Sequence, residues 1–410
     1  MNDALNSSLL ERQRERSVKL LKQLIAIPSG NPHVSDADEK EIARFLRDEL
    51  KNAGFQVKLQ QVTSTYTIAG PRGRKAFTRP NVIARIGEKH GPKLILNGHL
   101  DTVSGVNMKK PFDPRVQDGK LYGRGSSDMK GGVAAIVAAA EAVQISNMPL
   151  RGELVLSLVV DEETLGFGTR AFLDEESGDF AIVAEPTQNT LGLAQAGYLD
   201  FDMTCKGESR HGQTALLQSS GFLQATSILN QITNDPALIR EQKRNGVAMK
   251  STFNAAPIRP IQHPSLAWMT LQEFPVNCLL GLLPGRNVYA SERAAKAVFR
   301  RVKYHITKAN AHGCNASVKR SSWDIGFMQP AISYVRRFEK AMRQVLGHSK
   351  RSYVQSFCDA THFYRAGIPT ILFGPGRMEL GHSSNEYVSI RQVKDATGVL
   401  VRAVENMLSK

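Results

Sequence analysis

The chain has 410 residues, more than one compact core usually serves, so two domains are the starting expectation. Hydrophobic residues make up 41% and charged residues 22%, a globular balance that excludes a fibrous or disordered chain, and no repeat or low-complexity tract stands out. The net charge of +15 raises the question of nucleic acid, but the basic residues are spread through amphipathic segments such as 292–308 and 336–351, without zinc-finger spacing or an aromatic-interleaved basic motif, so no nucleic-acid partner is expected. The four cysteines, Cys205, Cys278, Cys314 and Cys358, lie far apart with no CxxC pair, which argues against a zinc ribbon or a disulfide framework. The first residues are polar and charged where a signal peptide needs an apolar core. The apolar runs 133–140 and 154–160 fall short of the roughly 20 residues that span a bilayer. A cytoplasmic protein that engages no membrane is the expectation.

In chain order, 7–54 reads mostly as helix. Leu20, Leu21, Leu24 and Ile25 recur at helical spacing up to Pro28, and a second helix runs over 38–53 with Gly54 as its stop. Strand-like runs follow at 55–61, 81–86 and 94–97, then a helix over 130–143, a very apolar strand at 153–160 and another strand at 180–184. Strands alternating with helices predict an α/β domain with a largely parallel sheet. After about residue 192 the texture changes: a strand at 199–205, a helix at Gly221–Thr233, a Pro-rich irregular stretch at 255–275 and a second strand–helix set through 308. This reads as an insertion. A helix at 331–346, a strand at 370–373 and a helix at Ile390–Leu408 return the chain to the first domain.

The chemistry-bearing residues cluster at the ends of the apolar runs. LILNGHLDTV carries a buried-strand pattern into His99 and Asp101, which alternation points the same way. Alone, the HxD pair reads equally well as a structural histidine. In LYGRGSSDMKGG, Asp128 sits in a Gly-rich turn before a helix, where a helix cap is the commoner use. LVLSLVVDEETLGFGT runs an apolar strand into Asp161, Glu162 and Glu163, three acids that repel unless exposed, protonated or met by a cation. In FAIVAEPT, Glu185 ends another apolar strand, and in ILFGPGRMELGHSSNEYVSI, His382 follows one. The repetition is the stronger observation. Mixed His and carboxylate donors suit zinc, with cobalt or manganese as substitutes.

Taken in this order, GHLDTV, YGRGSSDMKGG, DEE, AEPT and GHSSNEYVSI resemble the dinuclear-zinc amidohydrolase and exopeptidase family that includes acetylornithine deacetylase, succinyl-diaminopimelate desuccinylase, aminoacylase and carboxypeptidase G, over nearly the whole chain. The resemblance implies two divalent ions, zinc by preference, bridged by Asp128, with His99 and Glu185 on one ion and Glu163 and His382 on the other. It implies that Asp101 orients His99. It also implies that Glu162 is the general base, taking a proton from the attacking water and passing it to the leaving amine. It further implies an α/β, mostly parallel-sheet catalytic domain over 1–193 and 313–410, with an inserted α+β, ferredoxin-like lid and dimerisation domain over 194–312. A homodimer through that lid is expected, and His211, in CKGESRHGQT, matches the lid histidine that completes the oxyanion site.

Two stretches depart from the family pattern. NCLLGLLPGRN has no Arg before Pro284, only Arg286 after it, and RHGQT alters the small-residue pattern around the lid histidine. Both lie where substrate is recognised. Asn277, Arg259 and Arg286 are the candidates for substrate contacts. The expected function is hydrolysis of the amide of a small N-acyl amino acid or related N-acyl amine. A metallo-exopeptidase, dipeptidase or carboxypeptidase, is the alternative.

Overall fold

The structure is a computed structural model that describes residues 7–32, 35, 37–67, 74–105, 108–208, 211, 220–244, 247–258 and 273–409. The chain divides into two compact units. One comprises Met1–Leu193, Gln329–Ser352 and Cys358–Lys410, and the other Ala194–Met328 and Tyr353–Phe357. In this division the second unit extends to Met328. The reason is that the strand following the insertion's last helix pairs with the insertion's own first strand, Ala316 opposite Cys205 through Asp324 opposite Tyr198.

The first segment carries α1 (Ser7–Ala26), α2 (Lys40–Asn52), β1 (Gln56–Thr67), β2 (Arg74–Gly87), β3 (Lys93–His99), β4 (Arg115–Gln117), β5 (Lys120–Tyr122), α3 (Lys130–Ile145), β6 (Glu153–Val159), α4 (Phe167–Glu175), β7 (Phe180–Val183) and β8 (Leu191–Gln195). The insertion adds β9 (Gly197–Lys206), α5 (Gly221–Thr233), β10 (Glu241–Arg244), β11 (Val247–Lys250), β12 (Phe253–Pro257), β13 (Glu273–Leu282), α6 (Val288–Ala311), β14 (Ala316–Asp324) and β15 (Phe327–Met328). The chain returns through α7 (Ser333–Leu346), β16 (Arg351–Val354), α8 (Ala360–Arg365), β17 (Thr370–Leu372), β18 (Tyr387–Ser389) and α9 (Ile390–Leu408).

In the first unit the strands run in the order β1-β2-β6-β3-β7-β17-β8. The central pairs β3 with β6, β3 with β7 and β7 with β17 are parallel, so their carboxyl ends lie at one edge of the sheet. Strands covered on both faces read as continuous apolar runs, and β3, β6 and β7 are buried almost throughout. Helix α1 buries Leu20, Leu21, Leu24 and Ile25 and stops at Ala26, two residues before the helix-incompatible Pro28. Helix α3 is built of Ala, Val and Gly because it is enclosed nearly all round. At its start, a Cβ on Gly132 would come 2.1 Å from the Ala184 carbonyl oxygen, so glycine lets the helix press against the end of β7. A small second sheet, β18-β5-β4, pairs Tyr387 with Tyr122 and Ser389 with Lys120. No described helix is long and apolar enough to cross a membrane.

The second unit has the order strand, helix, two strands, helix, strand, with its sheet arranged β12-β13-β9-β14 and every neighbour antiparallel. That is a ferredoxin-like arrangement, extended by the hairpin β10–β11. Along β9 the alternation buries Leu199, Phe201, Met203 and Cys205 against Ile228 and Ile232 of α5 and Val302 and Ile306 of α6. Side-chain caps start both helices: Ser220 Oγ accepts from the Leu223 amide and Asn287 Oδ1 from the Ala290 amide.

Candidate metal centre

Three adjacent parallel strands deliver acids and a histidine to one edge. His99 is the last residue of β3, Glu162 and Glu163 follow β6, and Glu185 follows β7 two residues past Val183. His382 arrives from the segment after β17, and Asp128 from the turn that opens α3. All belong to the first unit. Asp128 does not cap α3: the residue at the cap position is Met129, with no side-chain cap bond. Its two oxygens face two different imidazoles, Oδ1 at 3.2 Å from His99 Nε2 and Oδ2 at 3.7 Å from His382 Nε2. His382 Nε2 also lies 2.8 Å from Glu163 Oε2, and His99 Nε2 lies 3.8 Å from Glu162 Oε2. His382 adopts a left-handed backbone, with φ of 62°. A Cβ on the preceding Gly381 would sit 2.7 Å from Asp128 Oδ2, so only glycine lets the two segments approach so closely.

Asp101 meets His99 through both its backbone and its side chain. Its backbone carbonyl accepts from His99 Nδ1 at 2.9 Å, while its carboxylate Oδ1 stands 3.5 Å from the same nitrogen. The carboxylate's closer partners are the amides of Glu162 and Glu163, each at 3.1 Å, and the Asn31 side-chain amide at 3.1 Å. Asp101 thus holds the turn bearing the two glutamates as well as the histidine.

The cluster is rich in acid and poor in base. Burial pushes the Glu162 and Glu185 carboxyls well above the usual carboxylate range, and the nearby His99 offsets this only in part. Burial also raises Asp359, which lies behind the site and accepts from Thr169 Oγ1 at 2.6 Å, to about 7. His382, hydrogen-bonded to Glu163, is raised to about 9. Glu163 Oε1 and Glu185 Oε1 are buried with no hydrogen-bond partner among the described residues. A buried carboxylate oxygen without a donor is costly unless a cation meets it. Ligand atoms of His99, Asp128 and Glu163 lie within 4.8 Å of one another, and imidazole with carboxylate is a donor set for zinc and related divalent ions. The residues fit such ions.

Sequence reading missed the residue that seats the Asp128 turn. Glu386 is fully buried and accepts from the amides of Gly125, Ser127 and Asp128 at 3.0, 2.9 and 3.1 Å and from Arg124 Nη1 at 2.7 Å. It lies four residues beyond His382, so one carboxylate ties the segments bearing Asp128 and His382 together. The signal was present, since Glu386 stands inside GHSSNEYVSI, but its partners come from far along the chain.

The candidates outside the cluster fare variously. Asn277 lies on β13 in the second unit, where its amide donates to Asp200 Oδ1 at 2.7 Å and Asp202 Oδ1 at 3.0 Å. Arg286 and His211 are exposed and also belong to the second unit. Arg259 lies outside the described residues.

The chain is similar to known proteins over most of its length. The chain is 25% identical to an N-formyl-4-amino-5-aminomethyl-2-methylpyrimidine deformylase of Halalkalibacterium halodurans, over 96% of this chain and 94% of that protein. It is 25% identical to an acetylornithine deacetylase of Proteus mirabilis, over 95% of this chain and 96% of that one. Its fold matches the di-peptidase Dug1p of Saccharomyces cerevisiae with a TM-score of 0.76 at 13% identity, covering 98% of this chain and 97% of that chain. Residues 95–406 match the peptidase family M20/M25/M40, and the chain belongs to that family of metal-dependent hydrolases.

Proposed function

We propose that the protein is a deacylase that hydrolyses the amide of a small N-acyl amino acid or related N-acyl amine. The observation that carries this reading is Glu162. Its carboxyl lies 3.8 Å from His99 Nε2 and is held above the usual carboxylate range by burial, the setting of a group that moves a proton. The relatives named deformylase and deacetylase both cleave such amides.

In this reading Asp128 would be shared by two divalent ions, zinc by preference, with His99 and Glu185 holding one and Glu163 and His382 holding the other. When bound, the ions acidify a water and polarise the amide carbonyl. Glu162 takes the water's proton as the oxygen attacks the carbonyl carbon, and returns a proton to the nitrogen as the C–N bond breaks. Asp101 keeps His99 and the glutamate turn in place. His211 contributes from the inserted unit to the oxyanion, in a homodimer formed through that unit.

Metal-loaded protein incubated with N-formyl, N-acetyl and N-succinyl amino acids and with dipeptides, followed by detection of free amine, tests the reading. Release of amine from the N-acyl compounds is expected, and turnover of dipeptides alone would overturn it. Glu162→Gln should keep both metal equivalents and lose about 100-fold or more in kcat, because the proton carrier is gone. Normal turnover would remove Glu162 from that role.

A further inference from the structure

The turn that carries Glu162 and Glu163 is gripped from behind by a guanidinium that no sequence motif announces. Arg79, on β2, is fully buried. Its Nη2 donates to Asp161 Oδ1 at 2.9 Å and to Ser64 Oγ, and its Nη1 lies 3.3 and 3.4 Å from the two Glu39 carboxylate oxygens. Asp161 is the residue immediately before Glu162, and it is held in the left-handed region with φ of 74°. A non-glycine residue rarely adopts that conformation unless its surroundings enforce it. Here they do. Besides Arg79, Asn31 Nδ2 donates to Asp161 Oδ1 at 3.1 Å, Thr164 Oγ1 donates to the same oxygen at 3.0 Å, and the Asp161 amide donates to Glu39 Oε1 at 3.2 Å. On the other side, the Asp101 carboxylate takes the amides of Glu162 and Glu163.

A buried ion pair of this kind seldom stabilises a fold better than apolar side chains of the same volume. Arg79 is moreover left with Nε unpartnered among the described residues. What the guanidinium does achieve is geometric. It opposes the Asp161 charge and so allows that residue to sit buried in a left-handed turn, which fixes where the next two side chains point.

We infer that Arg79 is a positioning residue for the reaction: acting through Asp161, it sets the turn that aims Glu162 at the reacting water and Glu163 at its metal. Arg79 touches neither substrate nor metal ligand in this arrangement. The inference rests on the deacylase reading only for what Glu162 does, since the placement of Glu163 is testable without any substrate.

The test uses the full-length protein loaded with cobalt, whose d–d absorption reports the ligand geometry. Arg79→Gln is expected to bind cobalt at the parent stoichiometry with a shifted d–d spectrum. Its kcat should fall about 100-fold while KM stays within about threefold, the pattern of a misplaced group and not of lost substrate binding. Should Arg79→Gln fail to fold, Asp161→Asn, which removes the partner charge while keeping the side-chain shape, carries the same measurement. In Arg79→Gln/Asp161→Asn, removal of both charges should restore folding relative to the single variants without restoring kcat. A change in either spectrum or kcat supports the inference. A lowered melting temperature with spectrum and kcat per bound metal both unchanged overturns it, because that is what a purely structural arginine would give. If the parent protein releases no amine from any N-acyl compound, the deacylase reading fails on its own, and the cobalt spectrum still decides the role of Arg79.

Discussion

At the scale of single residues, the centre depends on carboxylates whose two oxygens serve different partners. Asp128 turns Oδ1 to His99 and Oδ2 to His382, so Asp128→Ala should abolish binding at both positions. Metal analysis is expected to find less than one equivalent, and two retained ions would exclude a bridging role. Glu386 does for the backbone what Asp128 does for the site, taking three amides and one guanidinium. Glu386→Gln keeps the shape but loses the charge that Arg124 and the amides face. It should lower stability by about 3 kcal/mol, as breaking a buried pair does, and weaken metal binding with it. Denaturant unfolding and metal competition check the two effects together. The proposed ligands could be picked out in the sequence because each follows an apolar strand or a Gly-rich turn, a local pattern. Glu386, Arg79 and Asn31 were not, because their meaning lies in contacts across the fold. Asp161 shows the difference well. In the sequence it is one of three acids calling for a cation, yet the cation that meets it is Arg79, 82 residues away.

At the scale of elements, parallel order does most of the work. Placing β6, β3 and β7 side by side and in one direction brings three strand ends together, although the residues they deliver are scattered from 99 to 185. The strand periods were readable, but the neighbour order was not, since β6, later in the chain, inserts between β2 and β3. In the inserted unit, α5 and α6 are joined by Asp235, whose carboxylate accepts from Arg301 Nε at 2.6 Å and lies 2.7 Å from His305 Nε2. Burial raises its pKa, but the bonds from Arg301 and His305 outweigh this and bring it down to about 2, from 3.8 for the free side chain. A carboxyl depressed in the folded state stabilises above its unfolded value, so the contribution of Asp235 is complete above about pH 4 and fades as pH falls toward 2. Asp235→Asn should therefore lower the unfolding midpoint at neutral pH, and the gap to the parent should narrow at about pH 3. A gap independent of pH would show that the charge is not what Asp235 contributes.

At the scale of the whole molecule, every ligand proposed here comes from one of the two compact units. Anything that binds only the folded form stabilises it by mass action, about 4 kcal/mol when the free ion stands a thousandfold above its Kd. Chelation should thus shift the calorimetric transition of the first unit and leave that of the second in place. A shift of both by the same amount would mean that the units unfold together. The change of texture near residue 192 lies beside the division at Leu193, whereas β14 looks like any other strand in the sequence and only the fold shows its pairing with β9.

The seat that Glu386 offers the Asp128 turn also has a consequence in time. Acceptor and amide are separated by 258 residues. A ribosome adding roughly 5–20 residues per second makes the turn tens of seconds before it makes the carboxylate that holds it. During that interval the nascent chain carries His99, Asp128, Glu163 and Glu185 without the clamp, and without His382. A chain halted upstream of Glu386 would lack the carboxylate that seats the Asp128 turn, and one halted upstream of His382 would lack that imidazole as well.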